Sequence, residues 1–154
     1  MTVPKQPLSV LVVIHTQARD VLLLERAAHP GYWQSVTGSR EGEESLEETA
    51  RREVFEETGI DTAAGILTDW RISNTYEIFL EWRHRYAPGV THNVEHVFGL
   101  QLPGRIAPVL SPHEHRDSLW LPWGEAAEKC FSWSNRDAIL LLPPPPPGFT
   151  EPNP

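Results

Sequence analysis

The stretch GSREGEESLEETARREVFEETGI, Gly38 to Ile60, marks a helix by its two ends. Ser45 followed three residues later by Glu48 makes a capping box, in which each side chain accepts a hydrogen bond from the other residue's free backbone N–H. Gly59 suits the left-handed position after the last turn. At about 100° per residue, Leu46, Ala50, Glu53 and Glu57 share one stripe about 60° wide. Its apolar first half turns that stripe toward the protein, so the acidic second half must face inward as well. Glu56 lies about 60° to one side of Glu53, which brings three carboxylates toward the C-terminal half of the helix.

A charged run is ordinarily a solvated face, and this one holds eight carboxylates against three arginines. The phase argues against that reading. Carboxylates set side by side raise one another's pKa, and a helix C-terminus is itself negative. A purely structural helix would place Lys or Arg there. Divalent cations resolve the conflict, because hard Mg²⁺ takes carboxylate oxygens together with water and phosphate oxygens. Arg52 on the flank can pair with a glutamate and orient it without covering the metal face.

The rest of the chain narrows the classes. At 154 residues it has the size of one domain with a single core. A composition of 40% hydrophobic and 22% charged residues is that of a globular chain, not a disordered one. No apolar run reaches the roughly 20 residues that span a bilayer. The N-terminal run MTVPKQPLSVLVVIH lacks a small-residue cleavage signature and reads as a strand, not an export signal. A single cysteine, Cys130, excludes an intramolecular disulfide and suits the cytoplasm. Nothing near it in sequence would lower a thiol pKa. A formal net charge of −8 would repel a nucleic-acid polymer, yet metals could still bridge it to a small phosphorylated ligand.

Val, Leu and Ile make Leu8–His15 a buried strand, with VLLLERA as its hairpin partner. YWQSVTG reads as a short strand entering the helix loop. Long apolar–polar segments cover Ile66–Phe79 and Val94–Leu102. A short strand at SLWLPW precedes helices near Pro122–Cys130 and Ser134–Leu142. Consecutive prolines end ordered structure, so residues 1–142 are expected to form one domain and 143–154 a proline-rich, disordered tail. Strands with one central helix and C-terminal helices give an α/β (α+β) sandwich.

Gly38, Glu44, Arg52, Glu53, Val54, Glu56, Glu57, Gly59 and Ile60 match the box G-x5-E-x7-R-E-U-x-E-E-x-G-U, where U is a bulky aliphatic. The chain thereby resembles the Nudix hydrolase family. The resemblance implies an α/β/α sandwich with a mixed sheet and a loop-helix-loop metal site. It also implies hydrolysis of a diphosphate linkage with Mg²⁺, or Mn²⁺ as an alternative ion. YWQSVTGS, YEIF…RHRYAPGVTHN, EHRDSLWL and SWSNRDAI resemble the branch that acts on dihydroneopterin triphosphate in folate biosynthesis. This similarity runs from about Lys5 to Ile139.

By that resemblance Glu53 and Glu57 are the metal ligands, Glu56 a further ligand or supporting carboxylate, Arg52 the orienting cation, and Glu44 the residue that fixes the loop. Glu114 completes the metal site, and Glu53, Glu57 and Glu114 are the candidate bases. Lys5 and Arg26 would bind phosphates or ring, Thr37 and Ser132 would supply hydroxyls, and Tyr76, Glu77, Ile78 and Phe79 would form the pterin pocket. Strand alternation sends Tyr76 and Ile78 to one face and Glu77 and Phe79 to the other. His113 and His115 read as solvated or loop-positioning, and Trp33, Trp82, Trp120 and Trp133 as core aromatics. Two rivals stand beside this expectation: a housecleaning (d)NTP pyrophosphohydrolase acting on dATP or oxidised nucleotides, and a non-catalytic nucleotide-binding module. Loss of Glu53, Glu56 or Glu57 would mark the second, and all three are present.

Overall fold

The computed structural model describes residues 3–150. In chain order it has strands β1 (Leu8–Thr16), β2 (Asp20–Arg26), β3 (Trp33–Gln34) and β4 (Val36–Ser39), then helix α1 (Leu46–Thr58). Strands β5 (Ile66–Glu77), β6 (His92–Leu102) and β7 (His115–Pro122) follow, then helices α2 (Trp123–Lys129) and α3 (Trp133–Leu140). Strand β1 is the hub of a mixed seven-stranded sheet. It pairs antiparallel with β2 and β4 and, along its whole length from Leu8↔Val94 to Thr16↔Leu102, parallel with β6. Strand β5 covers the far side of β6, while β3 and β7 pair with β2.

Alternation along β1 builds two cores. Val10, Val12 and Ile14 pack with Ala50 and Val54 of α1, whereas Leu11 and Val13 pack with Ala126 of α2 and Ala138 and Ile139 of α3. Successive strand side chains point to opposite faces, so the run LSVLVVIHT is buried because helices cover both. The architecture is the α/β/α sandwich expected, with α1 on one face and α2 and α3 on the other. Among the described residues no helix is long and apolar enough to cross a membrane.

Two segments differ from the sequence reading. YWQSVTG is two strands, because β3 pairs with β2 and β4 with β1. The break falls at buried Ser35, whose N–H donates to Asn135 Oδ1 at 2.7 Å and whose Oγ accepts from Asn135 Nδ2 at 2.9 Å. Strand β7 begins at His115, three residues before SLWLPW, in a polar stretch that pairs with β2 across a bulge at Glu25/Arg26. Of the tail, 143–150 forms no helix or strand; residues 1–2 and 151–154, which belong to the expected domain and tail, lie outside the described residues.

Candidate active site

Helix α1 carries two of its glutamates, Glu53 and Glu57, inward. Ser45 Oγ accepts from Glu48 N–H at 3.1 Å, Glu48 Oε1 accepts from Ser45 N–H at 3.0 Å, and Gly59 ends the helix at φ 70°. With both ends fixed, Ala50, Glu53, Val54 and Glu57 are buried, and the last turn holds no basic residue. Glu53 lies directly over Gly38, where a Cβ would stand 2.1 Å from the Glu53 carboxyl carbon. Only glycine leaves room for that carboxylate.

Arg52 ties the acids together. Its Nε and Nη2 donate to Glu44 at 2.7 and 3.0 Å, Nη1 donates to Glu53 at 2.8 Å and to Glu56 at 3.2 Å, and Nη2 also reaches the Ser39 carbonyl at 3.0 Å. The fork on Glu44 holds that carboxyl down to about 2, as bidentate pairing should. Glu44 in turn accepts from Glu41 N–H and the Thr49 hydroxyl, which anchors the loop.

Glu57 is 2% exposed. Burial, then the Glu53 charge and a hydrogen bond that favours the proton on Glu57, then Glu114, push its carboxyl well above the usual range. Burial also raises Glu53, against the pull of its hydrogen bonds to Glu57 and Arg52. His115, read from sequence as solvated or loop-positioning, is instead buried on β7, with Nε2 3.6 Å from Glu57 Oε1. That separation is too long for a hydrogen bond. Burial and Arg26 lower the imidazole to about 4, so it is neutral at pH 7. Among the described residues Glu57 Oε1 has no hydrogen-bond partner.

The three box glutamates do not share one environment. Glu56 is half exposed and turned onto Arg52, and among the described residues no three Asp, Glu, His or Cys side chains close into a ligand group. The 60° offset of Glu56 puts it on the solvent side of the stripe. Glu114 instead reaches the cleft from the loop before β7, lining one cavity with Glu57 and another with Glu53 and Glu56. An open set of carboxylates, with an orphaned buried oxygen on Glu57, suits a hard dication that keeps water and ligand oxygens in its shell.

The cleft continues away from the acids. Lys5, Arg26, Thr37, Arg85, Glu57 and Glu114 line a cavity of about 300 Å³. It adjoins a second, of about 220 Å³, through Arg26, Gln34, Thr37, Tyr76, Trp82 and Tyr86. The Lys5 ammonium is lowered by burial and by Arg85. Arg26 stacks over Trp82 at 4.8 Å and donates to Gln34 Oε1 at 3.4 Å, and Thr37 donates its hydroxyl proton to the Val10 carbonyl. Tyr76 and buried Ile78 point inward, whereas Glu77 leans into solvent on Arg83 and Phe79 packs edge-on to Trp82. All four border the second cavity, as does Ser132, whose hydroxyl also caps α3 by accepting from Asn135 N–H at 3.3 Å. Trp33 is buried and Trp120 packs on the core, but Trp82 lines the cleft and Trp133 is 49% exposed at its rim. Sequence reasoning named no role for Arg85, Gln34 or Glu95; the signal for Arg85 was the basic run RHRY, and for Glu95 an acid inside an apolar strand. Cys130 is inert, its thiol pushed up to about 12 by burial.

A mixed sheet between helices, with a glycine–glutamate–arginine loop feeding an acidic helix, defines a Nudix protein. The NUDIX domain model matches residues 5–142, and the chain belongs to that family, whose hydrolases generally use divalent metal ions. The dihydroneopterin triphosphate diphosphatase of Escherichia coli (strain K12) is 48% identical over 138 residues, covering 88% of this chain and 91% of that protein. The Haemophilus influenzae protein of the same name is 42% identical over 134 residues, covering 85% and 84%. The solved structure of the E. coli dihydroneopterin triphosphate pyrophosphohydrolase matches with a TM-score of 0.83 at 47% identity, over 90% of this chain and 95% of that one.

Proposed function

We propose that this chain hydrolyses dihydroneopterin triphosphate to dihydroneopterin monophosphate and pyrophosphate, in folate biosynthesis, with Mg²⁺. One observation carries the reading: the buried Glu53–Glu57 pair opens onto a cationic cavity that runs into an apolar, ring-sized pocket. Water adds to a phosphorus of the triphosphate, the bridging P–O bond breaks, and pyrophosphate leaves. Glu53 and Glu57 would hold the metal, with Glu114 and Glu56 as further carboxylates for it. When bound, Mg²⁺ neutralises phosphate oxygens and makes water a stronger nucleophile.

The chain's own residues handle position and charge. Arg52 fixes the Glu53 carboxylate against Gly38. Lys5, Arg26 and Arg85 offset the charge of the phosphates, while Tyr76 to Phe79 and Ser132 hold the ring end, Glu77 through its backbone. Glu53, Glu57 or Glu114 accepts the proton lost by water. The reading places the protein in the cytoplasm with a small-molecule partner. Its test is a panel of dihydroneopterin triphosphate, the common dNTPs, ADP-ribose and diadenosine polyphosphates, incubated with Mg²⁺ and analysed by mass. The pterin triphosphate should be cleaved fastest, to monophosphate and pyrophosphate; cleavage no faster than that of dATP would overturn the assignment.

A further inference from the structure

Strand β6 carries an acid where its pattern calls for an apolar residue. Asn93, Glu95 and Val97 alternate inward, and Val97 joins the core beneath α2 and α3. Glu95 is flanked by Ser9 on β1 and Asn74 on β5 and is only 4% exposed. Among the described residues its Oε1 accepts no hydrogen bond, and neither does Asn93 Oδ1. Burial pushes the Glu95 carboxyl up to about 7, although the Ser134 and Tyr76 hydroxyls favour its ionised form. A buried acceptor without a donor weakens a fold, and among the described residues none supplies one to Oε1.

The same carboxylate lines the ring end of the cleft, among apolar walls from Leu11, Ile78, Phe79 and Phe131. Asn135, which lines it too, has its amide engaged with Ser35 at both oxygen and nitrogen. The pocket therefore offers apolar walls with an unsatisfied acceptor between them. A ligand that satisfies it brings a hydrogen-bond donor on an otherwise apolar body.

We propose that Glu95 determines which heterocycle is bound, its carboxylate accepting from the ring N–H and adjacent exocyclic amino group of a 2-amino-4-oxopyrimidine edge. The assignment rests on the function proposed above for which end of the ligand enters this pocket. Two parallel, charge-assisted hydrogen bonds match the fork of that edge. Pterins and guanine both present it. Hypoxanthine lacks the amino group, and adenine turns a ring-nitrogen lone pair toward the acid.

The experiment compares Glu95→Gln with the wild type in calorimetric binding of dihydroneopterin triphosphate, dGTP, dITP and inorganic tripolyphosphate, with Ca²⁺ present in place of Mg²⁺. Wild type should bind dGTP at least about 10-fold more tightly than dITP, since a pocket built to hydrogen-bond a group rejects the analogue without it. In Glu95→Gln the two should fall within about 2-fold, and dihydroneopterin triphosphate should weaken by about 10- to 100-fold. Tripolyphosphate affinity should hold, and the ligand-free unfolding temperature should not fall. Equal dGTP and dITP affinity in the wild type, or a preference that survives in the variant, would overturn the proposal. So would a uniform loss that includes tripolyphosphate, which would mark a structural residue. If dGTP selectivity depends on Glu95 while dihydroneopterin triphosphate is cleaved no faster than dATP, the substrate reading fails and the Glu95 assignment stands.

Discussion

At the scale of single residues, the candidate site depends on space as much as on charge. Gly38 has an ordinary φ, and what it supplies is the absence of a Cβ where the Glu53 carboxyl lies. In Gly38→Ala the Glu53 side chain must leave its place beside Arg52. A misplacement of about 1 Å costs on the order of 100-fold in rate, so kcat should drop by about that factor while circular dichroism stays that of the folded protein. Wild-type kcat in the variant would show that Glu53 has no fixed position to lose. Gly38 and Glu53 could be named from their place in the box, but their contact could not, because it joins residues on different elements across a loop.

At the scale of elements, α1 was legible almost to the residue because its signals are local. Ser45, Glu48 and Gly59 lie within the helix ends they define, and the stripe from Leu46 to Glu57 needs only a period. Ser45→Ala removes one half of the capping box and should lower unfolding stability by about 1 kcal/mol, read as a shift of the urea midpoint at unchanged slope; an unshifted midpoint would mean the cap contributes nothing. The pairings of the sheet were not legible in the same way. Nothing near Leu8 announces that its parallel partner is Val94, and the split at Ser35 is set by Asn135, 100 residues further on. The polar start of β7 looked like loop for a related reason, since a polar strand along β2 carries no hydrophobic pattern. Tyr76, Ile78, Glu53, Glu56 and Glu57 could be named from sequence, and they border the cleft. Glu95 was passed over because its meaning lies in the pocket wall that β5, β6 and α3 assemble around it.

At the scale of the whole molecule, the acids act on stability with opposite signs. Glu44 has a folded pKa depressed to about 2, below an ordinary value of 4.5, so its contribution is present above about pH 4.5 and is lost as pH falls toward 2. Glu95 is raised to about 7, and Glu53 and Glu57 are raised too, so the native state holds protons that the unfolded chain has released, and stability falls as pH rises from about 4.5 through 7. Buried His115, lowered to about 4, works in the opposite direction up to its ordinary 6.5, so in EDTA the urea midpoint should decline from about pH 6.5 to about pH 8, and Mg²⁺ added at the upper end should raise it again by binding the native state. A flat profile, or one indifferent to Mg²⁺, would contradict the buried acids as described. The parallel pairing of β1 with β6 bears on how the chain comes off the ribosome. Helix α1 can coil as soon as its own residues emerge, but LSVLVVIHT, made first, has no partner along one edge until Val94 to Leu102 have been synthesised. Such distant pairing slows folding and leaves apolar strand exposed in the meantime. A nascent chain stalled before His92 should therefore be a client for chaperones, and productive folding should begin only when β6, through Leu102, is out.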